Sequence, residues 1–227
     1  MRNSIRQYTE SVKELAGGNG LALTLFGAIA AGTFDPKRHT ARSVLVLQTV
    51  DLEMLRRLAK DGTRLGKARI AAPLIMTPEY INASADTFPL ELIEIKQCHL
   101  CVFGEDYFEE LAFHDPHIRL QCERELKTIL IGMRQGLLAA AGREKLFGTI
   151  GADVAERLVR TLRGLLWLHG QKEPKPVAQA ITEIETTGKC QLPGVRRAIE
   201  EGGQHGWEEF RSLYDDIEAL RSLADAW

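Results

Sequence analysis

The sequence predicts an α+β (α/β) fold in which a small mixed sheet flanked by helices is followed by a helical bundle. Two runs carry the sheet: Leu21 to Phe26 and Ser43 to Val50 are apolar on both faces and short, the pattern of buried strands. A third observation carries the bundle, because from Ile118 onward leucine and alanine recur at helical spacing almost to the last residue. The boundary falls near residues 113 to 117, giving one domain over 1–113 and a helical C-terminal domain over 114–227.

Each element follows from its residues in chain order. Asn3 to Ala16 carries Ile5, Tyr8, Val12 and Leu15 on one helical stripe, and Gly17-Gly18-Asn19-Gly20 stops it. After the first strand, Ala28 to Ala31 has room for one or two helical turns before Gly32, Asp35 and Pro36 break into a loop. Asp51 caps a helix through Leu52, Leu55 and Leu58, and Thr77-Pro78-Glu79 starts another. Ile70 to Met76 continues the sheet. Phe88 to Ile95 and His99 to Phe103 read as a strand pair closed by Gly104. Helices are predicted over 118–141, 152–169, 176–187, 194–201 and 207–226, with QKEPKP and the glycines near 202 as loops.

Bulk properties exclude several classes. At 227 residues, 44% hydrophobic and 26% charged, the chain can bury one sizeable core or two modest ones. A formal charge of -2 gives no global reason to expect nucleic acid. The longest nearly apolar run, LALTLFGAIAAG, is about half of the roughly 20 residues that a bilayer span needs. No membrane association is expected. Four cysteines are too scattered for a disulfide framework, and the opening MRNSIRQYTE has no apolar leader, so a cytoplasmic protein is expected.

The chemically informative stretch is LTLFGAIAAGTFDPKRHTARSVLVLQ, Leu23 to Gln48, followed later by FPLELIEIKQCHLCVFGED and the helix RLQCERELKTILIGMR. It resembles the nucleotidyltransferase signature of the DNA polymerase β superfamily, in the form found in small bacterial enzymes similar to aminoglycoside nucleotidyltransferases. In that signature a strand ends at Gly-Ser, a short helix and a glycine follow, and the next strand carries Asp-x-Asp. The resemblance covers most of residues 1 to 142, and it implies a glycine backbone approaching a triphosphate while three carboxylates hold two divalent cations.

This chain departs from the pattern at the acids. Gly27 and Gly32 match the glycines, but Ala28 stands where serine would touch phosphate, and Ala41-Arg42-Ser43 stands at Asp-x-Asp. Pro36 to Val50 holds no Asp or Glu. By the resemblance the third acid is Glu91 or Glu94, which leaves them as remnants rather than a catalytic set, since one carboxylate cannot hold two magnesium ions. In place of the acids stand Lys37, Arg38, His39 and Arg42, so the local charge has the sign that suits an anion.

The ligand-binding set implied by the resemblance is Gly27, Ala28, Gly32, Lys37, Arg38, Arg42 and Ser43, with no metal site. The leading expectation is a non-catalytic nucleotide- or anion-binding, regulatory module whose partners are a nucleotide or other phosphate-bearing ligand and a protein partner or second copy of the chain. No cofactor is expected. The alternatives are an active nucleotidyltransferase, in which Glu91 or Glu94 works with Asp35 after a loop rearrangement to hold magnesium, and a ligand-free interaction protein.

Other candidates have plainer readings. Cys98 and Cys101 have the spacing of a zinc half-site without a second half, and His114-Asp115-Pro116-His117 reads as a turn with a cap. Arg119, Glu123, Arg124, Glu125 and Lys127 read as helix-surface charges at ion-pair spacing. Trp167, Trp207 and Trp227 read as packing residues.

Overall fold

A computed structural model describes residues 2–37, 39–202 and 206–227. The chain divides into two compact units, one made of Met1–Ala85 with Glu94–Ala112 and the other of Asp86–Ile93 with Phe113–Trp227.

In the first unit four strands are present among the described residues: β1 (Gly20–Phe26), β2 (Arg42–Leu47), β3 (Leu74–Met76) and β4 (His99–Gly104), in the order β3-β2-β1-β4. β1 lies antiparallel between β2 and β4, while β3 runs parallel to β2, so the sheet is mixed. The two apolar runs are therefore the adjacent central strands, as their two-sided hydrophobicity predicts. Alternation sets the faces. Leu23, Leu45 and Leu47 pack with Tyr8 and Val12 of α1 (Arg2–Ala16) and with Met54 and Leu58 of α2 (Leu52–Ala59). Phe26, Arg42, Thr24 and Val44 belong to the opposite face by the register.

Local chemistry explains the helix starts. The Asp51 side chain accepts the amides of Glu53 and Met54 ahead of α2, as its capping role predicts. Thr77 accepts the Tyr80 amide ahead of α4 (Pro78–Ala83), whose proline sits where no intrahelical donor is needed. Between them α3 (Gly62–Lys67) ends in a paired backbone closure: Arg69 donates to the Gly66 carbonyl and Ile70 to the Leu65 carbonyl, with Arg69 at φ 58°. That left-handed position usually falls to glycine. Here the arginine side chain reaches back to the carbonyls of Pro36 and Lys37 at 2.7 and 3.1 Å.

One expected strand is a helix. Residues 88–95, read above as half of a strand pair, lie in α5 (Pro89–Gln97), and only β4 of that pair is a strand. The misleading feature is a segment apolar all round: Leu90, Leu92, Ile93 and Ile95 are all buried. A helix buried on several sides carries no clean 3.6-residue stripe. Proline in the first turn and the helix-favouring Leu and Glu residues decide for the helix.

Among its described residues the second unit holds helices and no strand: α6 (Asp115–Ala140), α7 (Phe147–Leu168), α8 (Val177–Gly188), α9 (Pro193–Arg197), a π-helical turn (Ala198–Gly202) and α10 (Trp207–Ala226). Its core joins Ile118, Leu126, Leu158, Leu162, Leu213 and Ile217, and it takes in Leu90 and Ile93 from α5. The surface charges of α6 divide as their spacing allows. Lys127 meets Glu123 within the helix at 3.0 Å, whereas Glu125 reaches Arg157 of α7 at 3.1 Å. The tryptophans pack: Trp167 stands edge-on to Phe113, Trp207 stacks on Phe210, and Trp227 lies against His169.

Candidate functional site

Three strand ends meet in the first unit. Because β2 and β4 run antiparallel to β1, both begin beside its end, and Phe26 pairs with Arg42 on one side and His99 on the other. The Arg42 guanidinium lies over the Phe26 ring, 4.6 Å from its centroid, a favourable cation–π arrangement. It also passes over Gly27, where φ is 72° and a Cβ would sit 2.8 Å from Arg42 Nη2. Glycine meets both demands, the left-handed backbone and the close approach. Its amide donates to the Cys98 carbonyl at 3.0 Å, and its own carbonyl accepts the amides of Ala30 and Ala31 to close a 3₁₀ turn.

Arg42 is held from the other side by Glu94, on the last turn of α5. The pair is a fork: Nη2 donates to Oε1, and Nη1 to Oε2 at 3.3 Å. Glu94's side chain is 10% exposed and Arg42's 44%. A carboxylate this buried needs its counter-charge, while the guanidinium keeps a face toward solvent. Nearby, His99 Nε2 lies 2.8 Å from Asp106 Oδ2, and Asp106 Oδ1 accepts the amides of Phe108 and Glu109. Burial raises the Asp106 pKa, but the Phe108 amide, His99 and the Glu109 amide outweigh it and hold the carboxyl below its ordinary value.

The structure brings together only some of the residues singled out in the sequence. Gly27, Arg42 and Glu94 meet at the strand ends. Ser43 does not join them: it is 2% exposed, faces α1, and its hydroxyl bonds to the Tyr8 hydroxyl at 2.9 Å. The ligand contact expected of Ser43 is thus lost to burial. Strand parity explains it, since Ala41 and Ser43 share the core face and only Arg42 of the three turns to the site. Glu91 lies in the second unit, bonded to Arg160 at 3.0 Å and Gln121 at 2.8 Å. Ala28 accepts the Thr33 amide, and Gly32 sits in a turn at φ 72°. Lys37 is exposed in the loop, its amide on Asp35 Oδ1 at 2.9 Å and its carbonyl held by Arg69. Arg38 lies outside the described residues. Phe26, Arg69, His99 and Asp106 carried no sequence signal, because their roles depend on pairings across strands and loops.

No family model matches this sequence, and no curated protein does. Among solved structures, the spectinomycin adenyltransferase AAD(9) from Enterococcus faecialis, determined with ATP and spectinomycin, is similar over 99% of each chain with a TM-score of 0.63 and 10% sequence identity. The fold is nucleotidyltransferase-like. At that identity the likeness speaks for the fold alone.

Within this nucleotidyltransferase-like fold the donors at the strand ends do not suit a pair of magnesium ions. Such ions need several carboxylate oxygens at octahedral geometry. Here residues 36–50 supply none, and the nearby Glu94 is committed to a guanidinium. Among the described residues, no three His, Cys, Asp or Glu side chains are grouped to hold a metal. Sulfur does not change this. Cys98 Sγ turns to the Gly27 carbonyl and Cys101 Sγ to the Phe103 carbonyl, and burial raises the Cys101 thiol pKa, which disfavours the thiolate that binds metals. Among the described residues, no helix is long and apolar enough to cross a membrane.

Proposed function

We propose that this chain is a non-catalytic nucleotidyltransferase-like protein whose strand-end site binds a phosphate-bearing anion, of which a nucleotide is the leading class, and serves a regulatory or interaction role. The observation that carries the reading is the Arg42–Glu94 fork beside Gly27. A guanidinium with an exposed face offers two parallel donors to phosphate, and Phe26 fixes its plane. Glu94 is the internal counter-ion that an incoming phosphate would displace or share. The likeness to an adenyltransferase solved with ATP supports the nucleotide class, and the lack of any acid in residues 36–50 favours binding over metal-assisted transfer.

The test measures thermal shifts and calorimetry with ATP, GTP and inorganic phosphate, for the wild type and Arg42→Glu. A rise in melting temperature for the wild type that is absent in Arg42→Glu supports the reading. Equal responses of the two proteins count against it. Tight manganese binding that disappears in Glu94→Ala, together with ATP-dependent nucleotidyl transfer, would establish the active enzyme instead.

A further inference from the structure

The first unit holds a cavity of about 540 Å³ on the side of the sheet that packs against α1, away from the Arg42 face. Its walls are Leu55 and Leu58 of α2, Leu65 of α3, Ile70 of the segment that leads into β3, and Ile75 of β3. Ala59, Gly62, Gly66, Arg69 and Ala72 along its lining are exposed while Leu58, Leu65 and Ile70 are buried, so the space is an apolar-floored cleft open to solvent. It falls within the roughly 300–1,000 Å³ typical of small-molecule sites.

What keeps the space open is the choice of Gly62 and Gly66, one turn apart on α3 and both facing the cavity. Glycine in a helix is disfavoured by roughly 1 kcal/mol relative to alanine, and α3 carries two in six residues. Neither is there to avoid a clash, because a Cβ added at either position meets nothing within 4 Å. Their φ values also lie outside the left-handed region, so the backbone does not require glycine. The sequence thus forgoes helix stability where side chains would fill the cavity.

Two polar residues line it. The Thr40 side chain makes no hydrogen bond among the described residues, and Arg69 spends its Nε and Nη2 on the carbonyls of Pro36 and Lys37, leaving Nη1 without a partner among them. We infer that the cavity between α2, α3 and the 70–75 segment binds a small monoanionic molecule with an apolar body, its body against the leucine and isoleucine walls and its carboxylate toward Thr40 and Arg69. The apolar wall supplies affinity through buried area, and the hydroxyl and guanidinium orient the charged end. This site and the strand-end site lie on opposite faces of the sheet, and neither proposal depends on the other.

The probe is octanoate, with 1-octanol and acetate as controls, titrated into the full chain by calorimetry and thermal shift. Octanoate at saturation should raise the melting temperature of the wild type by about 2–4 °C or more, octanol less, and acetate not at all. Gly66→Leu fills the space and should abolish the octanoate shift while leaving the unliganded melting temperature equal or higher; Gly62→Leu serves as the second filling variant should the first fold poorly. Arg69→Gly keeps the left-handed turn, removes the charge, and should reduce the octanoate response to that of octanol. No octanoate shift in the wild type, or equal shifts in the wild type and the filled variants, would overturn the inference.

Discussion

At the residue scale the strand-end site turns on one charge pair whose members depend on each other unequally. Removing Arg42 takes a forked counter-charge away from the buried Glu94, whereas removing Glu94 leaves an arginine that can still reach water. Arg42→Ala should therefore destabilise the protein by about 1–3 kcal/mol, and Glu94→Leu by less. The double variant should recover part of the loss, with a coupling of about 1 kcal/mol or more by urea unfolding. A coupling near zero would mean that the pair is only a surface contact. Gly27→Ala should cost about 1 kcal/mol or more, because alanine at φ 72° is strained and its methyl group pushes on Arg42. Little of this was legible in the sequence. Gly27 and Arg42 could be picked out from their places in the nucleotidyltransferase pattern, but Arg42 and Glu94 are 52 residues apart, and a one-residue difference in strand parity sent Ser43 into the core.

At the scale of elements, legibility followed how cleanly each segment declared its exposed side. The stripe of α1, the capped starts of α2 and α4 and the two-sided apolar runs of β1 and β2 were all readable, since each carries a local signal that the tertiary structure respects. α5 was not, because it is buried on several sides and its stripe vanishes. The turn after α3 was also hidden, with arginine where glycine would have announced the left-handed residue. An element in the second unit carries its own pH dependence. Asp216 on α10 accepts the Val195 amide at the start of α9, at 2.9 Å, yet burial pushes its pKa up to about 6 from 3.8. A carboxyl that holds its proton more tightly when folded makes stability fall as pH rises from about 4 to 6, with no further change above. Asp216→Asn removes that titration and keeps an acceptor. Measured against wild type, the variant should gain on the order of 1–2 kcal/mol between pH 4 and pH 7. A difference that stays constant across that range would rule out the assignment.

At the scale of the whole molecule the point at issue is where the chain divides. Composition places the boundary at residues 113–114, where strands give way to helices. Compactness places residues 86–93 with the helical unit despite the stretch of first-unit chain that follows them. The side chains explain why. Leu90 and Ile93 are buried in the helical core, the Leu90 amide donates to Gln121 Oε1 at 2.9 Å, and Glu91 joins Gln121 and Arg160. A fragment of residues 114–227 would lose both apolar side chains and leave Gln121 and Arg160 without these partners. Burying a leucine or isoleucine contributes about 1.5–3 kcal/mol, so the loss is of the same order as the stability of a small domain. We therefore predict that in a fragment of residues 86–227 the segments 86–93 and 113–227 fold as a cooperative helical unit, with 94–112 released from the sheet, whereas residues 114–227 unfold at a urea midpoint lower by at least 1 M, or populate an expanded state that binds hydrophobic dye. Within the longer fragment, Leu90→Ala should lower stability by about 2–4 kcal/mol, and Leu92→Ala, a residue outside that core cluster, should have a smaller effect. Equal midpoints for the two fragments would return the boundary to 113–114 and reduce α5 to a connector.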